Sequence, residues 1–314
     1  MPLAEWTELV LRSPHLTCVV LPEKGAEIAS LTHAATGTQV LGRLRDTPPP
    51  DAAFGTAFPG AAEAEFNRWY AGGWQGLLPS GDAPCEIDGI RHSFHGESWG
   101  RPWTVLSSSA DAALLTVDLA HPRLRVTREI RLAADRAEIA VRERVENLDA
   151  QPARILWGHH PVFGGALAAP GARIELPAAD AETVRCDATS RFADATGLRW
   201  PPDGAAVMPA GPAHDLVLAH GFAEGRARVV TPDGSLAVAI RFDPGLFRWL
   251  WVWILAGGAE AEPFVGRRVV GVEPWTGPPG LDRAVREGQA LVLTPGEERT
   301  TEIAIAVEAT GEAP

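Results

Sequence analysis

Four stretches of this 314-residue chain gather histidine, tryptophan, glycine and acid more densely than a plain core requires. They are GGWQGLLPSGDAPC (72–85), FHGESWGRPW (94–103), WGHHPVFG (157–164) and VVGVEPWTGPPG (269–280). Aromatic rings stack on the apolar C–H face of a sugar while short polar groups read its hydroxyls, so Trp beside His, Gln and Glu is the composition of a carbohydrate cleft. Proline sharpens the choice among these residues. His160 precedes Pro161, which pushes it into extended backbone, and neighbours in an extended chain point to opposite faces. His159 and His160 therefore cannot both enter one cleft from the same strand. One is a site residue and the other a structural neighbour. Glu273 precedes Pro274 at the end of the apolar run VVGV, where a carboxylate has a task or a partner. A His and a Glu have reference pKa values near 6.5 and 4.3, so at neutral pH they supply one protonated and one ionised member. Such a pair can open a cyclic hemiacetal, the imidazole giving a proton to the ring oxygen and the carboxylate taking one from the anomeric hydroxyl.

Around this pair stand further candidates. His95 and Glu97 alternate onto one face; they could bond sugar hydroxyls, support the catalytic histidine or, with His160, form a two-His-one-carboxylate set. That spacing is weak for a metal, and none is assigned. Trp74 and Gln75 lie in a glycine-rich segment read as a loop, where a large aromatic has a reason to be other than core. Trp157 and Trp275 adjoin motif residues. Trp249, Trp251 and Trp253 share a face by alternation, and core packing is the better reading for at least two of them.

The elements that must position these groups are strands. In Arg123 to Leu132, apolar Leu124, Val126, Ile130 and Leu132 alternate with polar residues, and Arg128 alone breaks the pattern. Residues 138–146 alternate in the same way, with a hairpin turn expected over 133–136. Asp233-Gly234 marks a second hairpin between ARVVT and SLAVAIRF, and TTEIAIAVEA alternates near the end. Twenty-seven prolines and 32 glycines suit short strands and many turns. With no sustained helical stripe, and with the tract 43–66 reading as loop, the expectation is an all-β fold. Residues 1–310 form one domain and 311–314 fray.

Composition narrows the partners. A net charge of −12 without a Lys/Arg stripe argues against nucleic acid. The longest apolar run, from Trp249 to Gly258, falls short of the roughly 20 residues that cross a bilayer, and the first residues carry Glu5 and Glu8 rather than an export signal. Cys18, Cys85 and Cys186 are far apart and odd in number, which suits a reducing cytoplasm.

FHGE, WGHHPVF and VEPW, with an opening LPEKGAEIASLTHAATGTQVLG and a closing LTPGEERTTEIAIAV, resemble the galactose mutarotase-like, or aldose 1-epimerase, family in order and spacing across nearly the whole chain. The resemblance implies a β-supersandwich and anomer interconversion without a cofactor. It implies His160 as acid, Glu273 as base and His95 as a further sugar-binding histidine. Beside the resemblance, the residues themselves suggest a pocket shaped by Trp74, Gln75 and Arg68, with Glu97, His159, Trp157 and Trp275 as further candidate substrate contacts. The small-molecule partner would be a sugar; a homodimer is compatible with the sequence but not demanded by it. Val162 stands where galactose mutarotase-like members have Tyr, GGWQG stands where they carry an Arg, and Ala219 precedes His220 where a sugar-contacting Asp is common. The substrate contacts thus differ while the acid–base pair is kept. Two other readings use the same scaffold: a non-catalytic sugar-binding module, and a lyase or phosphosugar epimerase with Arg68, Arg91 and Arg101 at the pocket rim.

Overall fold

The alternating segment 123–147 forms an antiparallel hairpin, with Val126 opposite Val145 and Ile130 opposite Val141. Its turn is closed by Ala133 N–H donating to the Glu138 carbonyl at 2.9 Å. The Asp233-Gly234 hairpin forms too: Gly234 sits at φ +73°, where a side chain would be strained, and joins strands Arg226–Val230 and Leu236–Arg241. The final strand, Glu298–Ala309, lies between these two hairpins and pairs with both.

The structure, a computed structural model, describes residues 5–177, 179–202 and 204–309; the tail 311–314 lies outside the described residues. Among those described, two large sheets form. The first has eleven strands, whose main path runs Leu9–Arg12, Leu16–Leu21, Glu27–His33, Trp74–Leu77, Gly158–Phe163, Arg268–Trp275, Trp249–Ala256, His214–His220, Asp180–Arg185 and Ala195–Arg199. The second has eight, in the order Arg173–Glu175, Arg226–Val230, Leu236–Arg241, Glu298–Ala309, Glu138–Asn147, Arg123–Leu132, Ala112–Ala120 and Thr104–Ser108. Chain order and sheet order are interleaved, so neither sheet folds from one contiguous half of the sequence. The fold is all-β and a single domain.

The core lies between the sheets, where Leu124, Val126 and Val141 of the smaller sheet meet Leu250, Val252 and Val272 of the larger. A second apolar cluster covers the opposite face of the larger sheet and includes Phe66, Phe94, Trp249, Trp251, Trp253 and Trp275. Trp249, Trp251 and Trp253 are buried in this second cluster, as the core-packing reading expected. They do share a face, but it faces away from the inter-sheet core, which receives Leu250, Val252 and Ile254 from the same strand.

Two expectations change. The tract read as loop ends in a short helix, Glu63–Trp69, whose Phe66 and Trp69 are buried. The segment containing Trp74 and Gln75 is a central strand, Trp74–Leu77. Gly72 and Gly73, both at positive φ, turn the chain immediately before it.

Candidate active site

His160 and Glu273 come together because two strands pair in one register. Strand Gly158–Phe163 runs antiparallel to Arg268–Trp275, with Gly158 opposite Trp275 and Val162 opposite Gly271. That register sets His160 against Glu273, and directly opposed residues point to the same face. His160 Nε2 lies 3.4 Å from Glu273 Oε1. Two glycines make the room. A Cβ on Gly271 would stand 2.5 Å from Glu273 Oε1, and one on Gly158 would stand 2.2 Å from the Trp275 ring. Trp275 in turn donates its indole N–H to Glu273 Oε2 at 3.2 Å.

Both members of the pair are buried, and burial governs their protonation. It pushes the Glu273 carboxyl up to about 8, against the opposing pull of the Trp275 hydrogen bond. It pulls the His160 imidazole down to about 4, partly offset by a contact with its own backbone. At neutral pH the resting pair is thus an uncharged imidazole beside a protonated carboxyl. Moving one proton across the 3.4 Å gap converts it to imidazolium and carboxylate. The two groups are neighbours on one floor.

Above this floor is a cavity of about 300 Å³. Phe66, Tyr70, Phe94, Trp251, Trp253 and Phe264 give it aromatic walls; Glu63, Asp82, His95, Arg185 and His214 give it polar ones. His95 belongs to it as the sequence suggested. The ring stacks on Trp275 with centroids 5.8 Å apart, and lies equally far from the His160 ring. Its backbone is held at φ +57° by an N–H bond to the Gly81 carbonyl at 2.6 Å, a strained conformation for a non-glycine residue. Burial and the neighbouring His160 keep the imidazole well below its ordinary pKa, and its Nδ1 has no hydrogen-bond partner among the described residues.

Most of the other candidates lie elsewhere. His159, Trp74 and Trp157 occupy the reverse face of the sheet, inside the sandwich. There Trp74 donates its indole N–H to His159 Nδ1 at 3.1 Å, so the ring proton is on Nε2, 3.0 Å from Glu143 Oε2. Trp157 donates to the same carboxylate oxygen at 2.8 Å. Arg128, the residue that interrupted the alternation, lies directly opposite Glu143 and binds its Oε1 at 2.5 Å. Burial alone would raise the Glu143 carboxyl, but Arg128 and His159 hold it below the usual carboxylate range.

Glu97 points away from the cavity to Arg101 and His121, so the His95–Glu97–His160 set does not form; no metal-binding cluster occurs among the described residues. Arg68 is half exposed on the helix, paired with Asp51. Gln75 lies opposite His160 in the strand register but donates its amide to the Gly72 carbonyl and does not line the cavity. Trp275 supports Glu273 from behind rather than lining the cavity.

Sequence reasoning missed Tyr70, Asp82 and His214. Tyr70 Oη is 3.2 Å from His160 Nδ1. Asp82, inside the quoted SGDAP turn, is raised to about 6 by burial, with Asp282 and Glu63 adding to the rise against backbone hydrogen bonds. His214 is held through Nδ1 by Asp187 at 2.6 Å, leaving Nε2 for the cavity. A wider groove, of about 650 Å³, is lined by Asp88, His92, Asp149 and Arg154, with Asp88 and Arg154 forming an ion pair.

No curated protein sequence matches the chain. A family model described as a domain of unknown function, DUF4432, matches residues 79–307. Among solved structures, the chain is similar to the Slr1438 protein from Synechocystis sp. PCC 6803, with 18% identity and a TM-score of 0.74 over 98% of each chain. It is similar to a galactose mutarotase related enzyme from Lactobacillus acidophilus, with 13% identity and a TM-score of 0.70, covering 98% of this chain and 100% of that one. A GalM/aldose epimerase homologue from C. elegans follows at 13% identity and 0.65, covering 97% and 99%. These likenesses identify the fold as galactose mutarotase-like. No helix among the described residues is long and apolar enough to cross a membrane.

Proposed function

The chain belongs to the DUF4432 family and has a galactose mutarotase-like fold, and from that premise we propose that it is a 1-epimerase interconverting the anomers of a neutral monosaccharide. The observation that carries this reading is the His160–Glu273 pair on the floor of an aromatic cavity. Ring oxygen and anomeric hydroxyl are bonded to the same carbon, so the groups that serve them must stand close together. A cavity of about 300 Å³ is at the small end for ligand sites and suits one sugar ring rather than a chain.

The pair carries one transferable proton. With the sugar bound, the anomeric hydroxyl donates to the Glu273 carboxylate, and His160 Nε2–H donates to the ring oxygen. Proton transfer in both places breaks the bond from C1 to the ring oxygen and forms the carbonyl. Rotation about the next bond presents the other carbonyl face; reclosure returns each proton to its donor. The cycle ends with the pair as it began, so no cofactor is needed.

Charge supports a neutral substrate. Glu63, Asp82 and Glu273 line the cavity with Arg185 as its one guanidinium among the described residues, and Arg68, Arg91 and Arg101 are outside it. A phosphosugar would lack the basic cluster it needs. The test is a panel of aldoses, deoxysugars, uronates and phosphorylated or sulfonated sugars, followed by NMR exchange between anomeric signals. Exchange is expected for neutral sugars. Binding with no exchange for any sugar would replace this reading with a sugar-binding module.

A further inference from the structure

Tyr70 is the one tyrosine in the chain, and its phenol is almost wholly buried. It follows the helix Glu63–Trp69 directly, as the residue at its C-terminal cap. Phe66, one turn earlier, stacks on the Tyr70 ring with centroids 5.0 Å apart and an interplanar angle of 24°. The phenol meets the His160 ring edge-on, at 5.3 Å and 89°, with Oη 3.2 Å from Nδ1. His160 is therefore contacted at both nitrogens, Nδ1 by a phenol and Nε2 by the Glu273 carboxyl.

These two contacts are not equivalent. Nε2 faces the carboxyl with which a proton is exchanged, so it must alternate between bare and protonated. An imidazole can do this only if Nδ1 keeps its own hydrogen throughout, because loss of both would leave an anion. Nδ1–H then needs an acceptor inside a buried site. Resting on the acid–base reading of the pair, we propose that Tyr70 is a positioning residue whose Oη accepts Nδ1–H and so holds His160 in the tautomer that leaves Nε2 free to cycle its proton.

A carboxylate in this place would also fix the tautomer, but would favour the charged imidazolium. A phenol fixes the tautomer and adds no charge. Burial, with Glu273 and Glu27 nearby, raises the Tyr70 phenol well above its ordinary value, so it stays neutral.

The experiment uses the intact protein labelled with ¹⁵N at histidine, with His160 assigned through His160→Gln, and reads the tautomer from long-range ¹H–¹⁵N correlations at neutral pH. The wild type is expected to show a protonated Nδ1 and a bare Nε2. In Tyr70→Phe, which keeps the ring and removes the acceptor, a substantial Nε2–H population is expected. Anomer exchange should then fall roughly tenfold in kcat while KM stays within about twofold. A wild-type ring protonated at Nε2, or a tautomer ratio unchanged in Tyr70→Phe, would overturn the proposal. If the spectra behave as expected and no sugar is exchanged, the tautomer role of Tyr70 stands and the epimerase reading falls.

Discussion

His159 and His160 are adjacent, both nearly inaccessible to solvent, and opposite in what surrounds them. His159 faces the inside of the sandwich, with Trp74 on one nitrogen and Glu143 at the other. His160 faces a cavity with a carboxyl that burial keeps protonated. The same residue type on the same strand is thus packed between fixed partners on one side and, in the proposed function, carries the proton on the other. The difference is the charge offered nearby. Arg128 keeps Glu143 ionised on the inner face, whereas among the described residues no Lys or Arg pairs with Glu273 on the outer one.

The largest effect that would separate the two faces is on rate. Glu273→Gln and His160→Ala should each lower anomer exchange by ~10²–10⁴ with the far-UV spectrum unchanged; retained exchange in either would erase the distinction drawn for His160. On the inner face the expected loss is one of stability. Glu143→Ala leaves Arg128 buried without its partner and should cost about 3–5 kcal/mol by urea denaturation, while Glu143→Gln should cost less because it keeps the acceptor for Trp157. An Ala variant as stable as the wild type would show that the ion pair braces nothing.

The pH dependence sharpens the comparison further. Below about 4 His160 is protonated and no base remains; above about 8 Glu273 is ionised and no acid remains. Exchange should therefore be bell-shaped between limbs near those values, with both limbs belonging to the coupled pair. Stability supplies an independent sign. A carboxyl raised from 4.5 to about 8 on folding makes the native state bind the extra proton, so its contribution is present below 4.5 and is lost as pH rises through 8. The stability of Glu273→Gln relative to wild type should consequently grow across that interval in denaturation experiments. A flat difference would mean that the carboxyl is hydrated. The smallest effect is expected at Arg68→Ala, since an ion pair this exposed contributes at most about 1 kcal/mol. A large loss of exchange there would return Arg68 to the site.

What could be read without coordinates was whatever depends on local backbone direction. Period two gave the hairpin and the last strand, and the proline after His160 put the two histidines on opposite faces. Which face was which could not be read, because that depends on strands brought from residues 74–77 and 268–275. Trp74 and Trp157 look like cleft aromatics by composition and are interior donors by register. Arg128 was visible as an anomaly, yet its meaning required Glu143 directly across the hairpin. Tyr70 and His214 carried no motif. They enter the cavity from the cap after a seven-residue helix and from strand His214–His220.

The floor of the cavity is built from hydrogen-bonded strands in the middle of the larger sheet, whereas Phe94, Phe264 and Arg185 reach it from turns and strand ends. Inheritance can act on these two parts separately. Turns accept insertions and replacements that a central ladder refuses, so on the proposed function descendants of one ancestor could trade one sugar for another at the mouth while His160 and Glu273 beneath stay fixed in register.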